Sequence, residues 1–169
     1  MTILEILTFP DKFLEQPTKE VKNIDGKLQG LIDDMAATMY EAPGIGLAAI
    51  QVGIDKSILL YDVSPPDEKH SLQVLVNPRI VTREGETISE NEGCLSVPDY
   101  RADVKRALSI QVEGYDREGN PLKIDAEGFL AVVLQHEIDH LNGVLFIDRI
   151  SLLKRALYKK RVHKQLKKT

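Results

Sequence analysis

The stretch GFLAVVLQHEIDHLN, residues 128–142, decides how the rest of the chain is read. It holds no internal Gly or Pro, and Gly143 stands just past its end, so it reads as a helix closed at a C′ glycine. Successive helical residues turn by about 100°, which places His136 and His140 roughly 40° apart on one face. Two imidazoles one turn apart can grip a single divalent metal, and Glu137 falls about 60° from His140, within reach of a water beside that metal. Against this stands the plainer reading of two surface histidines and an unrelated glutamate. Phe129, Val132 and Val133 share the face of His136, either as an apolar pocket beside a metal or as ordinary core.

Outward from this helix, residues 25–41 read as an amphipathic helix. Leu28, Leu31, Ile32, Met35, Ala36, Met39 and Tyr40 follow helical spacing, Asp25 is the candidate N-cap, and Ala42-Pro43-Gly44 ends it. Residues 57–62 and 72–82 look like strands. Residues 106–115 and 122–126 look like a pair joined by the polar turn 116–120, an antiparallel hairpin. Ser151 starts a third helix with Leu152, Leu153, Ala156 and Leu157 on one side and basic residues on the other. Helices and antiparallel strands mixed without βαβ alternation predict an α+β fold.

At 169 residues, 43% of them hydrophobic and 28% charged, the chain has the length and composition of one soluble domain over 1–169. No signal peptide and no stretch of membrane-spanning length is visible, so the expected location is cytoplasmic. Net charge is −4, unevenly spread. Residues 151–169 hold eight basic groups and no acid, which leaves the preceding body with 14 basic and 26 acidic residues, a net of −12. The basic end is expected to meet something anionic.

A catalytic metal of this kind takes three protein ligands and keeps a fourth position open. Downstream of the helix, Phe146 stands where a third histidine would sit in many metalloproteases, and no glutamate follows Glu137. The third ligand is therefore sought upstream. Cys94, the only cysteine, lies in EGCLSVP (92–98), where Gly93 permits close approach and Pro98 stiffens the chain beyond the cysteine. A lone cysteine is often a small buried hydrophobe; beside a histidine pair lacking its third ligand it becomes the best candidate. One thiolate with two imidazoles suits zinc or ferrous iron, and spacing does not choose between them. A further segment, GIGLAAIQVG (44–53), matches the dinucleotide pattern G-x-G-x-x-A, but it follows a helix and Pro43 where that fingerprint must follow a strand. It reads better as a loop lying against an extended substrate, with Gln51 offering an amide donor to an oxyanion, or else as a plain tight turn.

Three separated segments, GIGLAAIQ (44–51), EGCLS (92–96) and QHEIDH (135–140), resemble peptide deformylase in sequence, order and spacing. The resemblance covers essentially the whole chain. It implies an α+β fold with a central HExxH helix surrounded by antiparallel sheets, and removal of the N-formyl group from formyl-methionine at the start of new polypeptides, releasing formate. It implies that Cys94, His136 and His140 bind the metal, usually ferrous iron, with zinc, nickel or cobalt able to replace it. Glu137 would be the general base and acid; Gln51 and the Leu95 N–H would hold the formyl oxygen. Gly46 would pair with the peptide main chain, Ile45, Phe129, Val133 and His136 would line the methionine pocket, and Arg101 would lie beside the extended substrate. Glu90 departs from the apolar residue some members carry four positions before the cysteine, at the pocket rim.

Two other functions compete: an HExxH metallo-endopeptidase, and a non-enzymatic ribosome- or RNA-binding module built round a structural metal. The missing downstream ligand and the EGCLS segment count against the first. A structural site would normally show four protein ligands, which counts against the second. The basic helix at 151–169 resembles the terminal helix implicated in ribosome docking in bacterial members. Its removal is expected to leave small-peptide turnover nearly intact, provided Leu152, Leu153, Ala156 and Leu157 are not essential to the core.

Overall fold

The computed structural model describes residues 1–168. Asp25 caps helix α1 (Gly26–Glu41) by accepting the Leu28 N–H at 3.0 Å, which satisfies one of the donors a helix start leaves orphaned. Leu28, Ile32, Met35 and Met39 recur at helical spacing and are buried. Seven strands follow: β1 (Gly46–Ala48), β2 (Ile58–Tyr61), β3 (Gln73–Glu84), β4 (Thr87–Cys94), β5 (Val97–Arg106), β6 (Ser109–Tyr115) and β7 (Pro121–Glu127). Every pairing between them is antiparallel, so the α+β class expected from the sequence holds. β1-β2-β3-β6-β7 form a five-stranded sheet, and β4-β5 form a separate two-stranded one.

Because side chains alternate across a strand, a strand buried on both faces must be apolar throughout. β2 (ILLY) is such a strand. Ile58 and Leu60 pack with α1, whereas Leu59 and Tyr61 pack with helix α2 (Gly128–Leu141) on the other face. Ala131, Val133, Leu134, Ile138 and Leu141 are the buried residues α2 commits to that core, the larger ones each worth on the order of 1.5–3 kcal/mol of burial. Opposite the five-stranded sheet, α2 presents its histidines to the β4–β5 hairpin. The C-terminal carbonyl of Leu141 is satisfied by the Thr18 N–H at 2.8 Å, and Gly143 takes the left-handed C′ conformation (φ 75°) that the sequence predicts.

The β6–β7 hairpin turns at Asp116–Asn120, where the Asp116 carboxylate accepts the Glu118 and Asn120 N–H groups at 2.9 Å. Arg106, expected at the start of that hairpin, instead ends β5. The β4–β5 pair is absent from the sequence reading altogether. Its register slips between Ser89 and Glu92 and again between Glu92 and Cys94, with Asn91 at φ 50°, so no clean alternation marks it. The bulges also turn Glu92 inward, where it is buried.

Helix α3 (Leu152–Leu166) is capped as expected, Ser151 Oγ accepting the Lys154 N–H at 3.2 Å. The leucine side is not the face by which it docks, nor is it separated from the basic residues as expected. Leu152, Leu153 and Leu157 are 80%, 69% and 60% exposed, and Ala156 is exposed too. The buried residues are Tyr158 and Val162, one turn apart, packed with Val97, Val104 and Phe146. The cluster beneath is aromatic, with Phe9 and Tyr100 beside Phe146, and it takes a ring from α3 rather than leucines. The leucines therefore lie on the outward side with Lys160 and Lys164.

Candidate metal centre

α2 begins where β7 ends, Gly128 making the turn at φ 63°. Its position is fixed further along by Gln135. That side chain accepts the Ala107 N–H at 2.9 Å and donates to the Ala107 carbonyl at 2.9 Å, clamping the β5–β6 link. The next residue, His136, turns toward the hairpin. His136 Nε2 lies 3.2 Å from His140 Nε2, and Cys94 Sγ lies 3.3 Å from His140 Nε2. All three ligand-capable atoms fall within 4.8 Å of one another. Three ligand atoms of these kinds converging on one point fit a single divalent cation. The soft thiolate with two imidazoles is a donor set for zinc or ferrous iron.

The outer layer orients these donors. Glu92 Oε1 lies 2.7 Å from His136 Nδ1, leaving Nε2 to face the centre. Glu92 is paired with the buried Arg106; Arg106 reaches Asp139 at 2.7 Å, and Asp139 is gripped by Arg149 at 2.6 and 2.7 Å. Burial opposes ionisation of Glu92, but hydrogen bonds from His136 and Arg106 hold its carboxyl down at about 2. Burial, then the charge of His136, hold His140 well below the ordinary histidine range, so it meets a cation as a neutral donor. Glu92, Arg106, Asp139 and Arg149 were given no role by the sequence. The signal that points to them is two buried charges, Glu92 and Asp139, beside the expected ligands in otherwise apolar surroundings.

Glu137 behaves differently from Glu92. Burial, with the Glu92 and Asp139 charges, pushes its carboxyl up to about 7, against the pull of His136 and Arg106. Its Oε1 lies 3.7 Å from His136 Nε2, and its Oε2 has no hydrogen-bond partner among the described residues. Gly46 makes room for it: a Cβ at position 46 would sit 2.9 Å from Glu137 Cδ. A buried carboxylate poised near neutrality, with one unengaged oxygen beside a metal-type cluster, can accept and return a proton.

The centre lies in a cleft of about 860 Å³. Ile45, Gly46 and Gln51 line it from the β1 side, Cys94, Leu95 and Arg101 from the hairpin, and Phe129, Val133, His136 and Glu137 from α2. Every candidate catalytic, metal-binding and substrate-binding residue thus borders one cleft, except His140, which lies buried behind it. Gln51 is held by its own Oε1, which accepts the Ala48 N–H at 2.9 Å, while Nε2 donates to Ser96 Oγ at 3.0 Å and approaches Cys94 Sγ at 3.6 Å. Arg101 lies over Gly93 and donates to the Asn91 carbonyl at 3.1 Å. Glu90 is exposed on the rim.

Known proteins of this kind are numerous. The family model for polypeptide deformylase matches residues 3–156. A peptide deformylase of Desulfosudis oleivorans is 58% identical over 167 residues, spanning 99% of this chain and 96% of its own, and one of Syntrophobacter fumaroxidans is 54% identical over 167 residues, spanning 99% and 98%. The crystal structure of a peptide deformylase from Ehrlichia chaffeensis in complex with actinonin superposes with a TM-score of 0.90 at 40% identity, covering 98% of each chain. One from Legionella pneumophila gives 0.89 at 44% identity, covering 98% of this chain and 96% of that one.

Proposed function

The chain belongs to the peptide deformylase family, and from that premise we propose how its own residues carry the hydrolysis of N-formyl groups and which metal they hold. The enzyme cleaves the formamide of formyl-methionine at the start of polypeptides, giving formate and a free amino terminus. Cys94, His136 and His140 hold the divalent ion, which we take to be ferrous iron, with zinc, nickel or cobalt able to replace it. When bound, that ion makes water acidic enough to react near neutrality and polarises the carbonyl. Glu137 takes the proton of the attacking water and later delivers it to the departing amine. Gln51 Nε2 and the Leu95 N–H donate to the oxygen that gains charge as the formyl carbon becomes tetrahedral, a role typically worth ~3 kcal/mol per donor. Ile45, Phe129 and Val133 form the slot for an unbranched thioether side chain, Gly46 pairs with the peptide main chain, and Arg101 flanks the residues after the methionine.

The observation that carries this reading is the placing of one raised, partly unengaged carboxylate, Glu137, beside three convergent ligand atoms at the base of an open cleft. The test is formate release from formyl-Met and formyl-Ala peptides, run beside casein. Formyl-Met should outpace formyl-Ala by at least about tenfold, with casein left intact. Casein cleavage without formate would instead identify an endopeptidase.

We further propose that residues 1–169 act as one unit in the cytosol, and that the outward face of α3 meets the ribosome. Lys154, Lys160 and Lys164 are exposed, and none forms an ion pair among the described residues; attraction of this kind to RNA phosphates weakens steeply with salt. Substituting Lys159, Lys160, Lys164 and Lys167 by glutamate should abolish co-sedimentation with ribosomes at low salt, and unchanged pelleting would refute the docking role.

A further inference from the structure

Arg161 of α3 is exposed, yet its head group lies against rings of the body. The Arg161 guanidinium lies over two rings at once, 5.4 Å from the Tyr100 centroid and 5.3 Å from that of Tyr158, and its Nη2 donates to the Asp99 carbonyl at 3.2 Å. The two tyrosines are themselves stacked, centroids 4.5 Å apart. Asp99 and Tyr100, with Arg101 next to them, line the cleft. Asp99 also stands at φ 59°, in the left-handed region. A residue other than glycine is strained there and stays only where its surroundings hold it. The ring contacts continue inward, from Tyr100 to Phe146 at 6.2 Å and from Phe146 to His136 at 6.3 Å. The cleft wall at residues 99–101 is therefore braced from behind by α3.

We infer that Arg161 is a positioning residue for substrate: by clamping Tyr100, Tyr158 and the Asp99 carbonyl it fixes the Asp99–Arg101 wall against which the residues after formyl-methionine lie. This rests on the deformylase reading above. Arg161 touches neither the metal-type cluster nor the methionine slot, so its contribution belongs to binding of longer peptides rather than to the chemical step. A cation over aromatic faces is attracted by the ring quadrupole. With the carbonyl contact added, about three- to tenfold in affinity is at stake. α3 thus contributes more than its outward basic face. Its removal takes away both the clamp and the Tyr158 and Val162 side chains that cover the wall's apolar back.

The test compares the parent enzyme, Arg161→Ala and Arg161→Lys on a formyl-Met amide and on a formyl-Met tetrapeptide, with metal content and Tm measured on each protein. The alanine variant should raise KM for the tetrapeptide about three- to tenfold relative to the short amide, with kcat little changed. Lysine, which keeps a cation over the rings, should restore part of the loss. A merely structural role would move both substrates together and lower Tm. That result, an unchanged KM ratio, or a lysine variant no better than alanine would overturn the inference. If the parent released no formate from either substrate, the deformylase reading itself would fail; a parent active on both with an unchanged ratio would refute only the positioning role.

Discussion

Two helices of this fold treat their polar and apolar residues in opposite ways. α2 buries Gln135, Glu137, Asp139 and His140, while α3 leaves Leu152, Leu153 and Leu157 in solvent and hides a tyrosine and a valine. Burying charge costs several kcal/mol unless every partner is supplied, and α2 meets that cost with Ala107, Glu92, Arg106 and Arg149. Among the described residues, Glu137 Oε2 and His140 Nδ1 are the buried side-chain atoms of α2 left without a partner. On α3 the apolar pattern is weak, and the shape of the aromatic pocket beneath decides which side docks. Buried polar groups are thus a sharper guide to function than apolar periodicity is to packing.

The contrast breaks first, and furthest, at Glu137. Glu137→Ala should lower formate release by at least ~10²–10⁴-fold, the usual worth of a general acid–base group. Near-normal turnover would mean that the leftover oxygen has no role in proton transfer. On α3 the largest effect should come from the residue that sequence spacing passed over. Tyr158→Ala empties an aromatic site in the cluster beneath α3 and should cost about 3 kcal/mol in urea unfolding; a loss no greater than that of a surface substitution would show the docked face is wrongly drawn.

Asp62 sharpens the same contrast between satisfied and unsatisfied buried charge. It lies at the end of β2, where its N–H donates to the Ile45 carbonyl at 2.9 Å. Burial opposes its ionisation, but hydrogen bonds from Ser64, Tyr40 and Ser71 outweigh that and hold its carboxyl below the usual carboxylate range. A folded pKa below the unfolded one contributes stability at pH values above the unfolded value and loses it as pH falls through the folded one. Asp62→Asn should therefore cost ~1 kcal/mol at neutral pH, a modest figure because the cluster lies near solvent. The gap to the parent should narrow once pH drops below about 4. A gap independent of pH would place the effect in packing. Smallest of all, replacing Leu152, Leu153 and Leu157 together by glutamine should shift stability by no more than about 0.5 kcal/mol per site, and a larger fall would mean those leucines pack after all.

Much of this was legible before the structure. α1 and α2, their caps at Asp25 and Gly143 and the β6–β7 turn follow from spacing and turn chemistry, because those signals are local; Cys94 joins the histidine pair in the sequence only by elimination of downstream ligands and by resemblance to the family. The β4–β5 hairpin was not legible, since its bulges and acidic residues erase the period-two pattern. Nor was the charge chain from Glu92 to Arg149, whose members lie far apart in sequence and meet only when the hairpin closes over α2. The docked face of α3 is not legible in the helix itself, because it depends on Phe9, Tyr100 and Phe146, which the helix sequence does not contain.

On this reading three residues hold the metal and a fourth, Glu137, moves the proton. Metal bound per chain, measured by elemental analysis on anaerobically purified parent, Cys94→Ser and Glu137→Ala proteins, tests that division directly. Stoichiometric metal is expected in the parent and in Glu137→Ala, and severe depletion in Cys94→Ser, whose hydroxyl is a far poorer anionic ligand than a thiolate. Full metal in Cys94→Ser, or its loss from Glu137→Ala, would contradict the assignment.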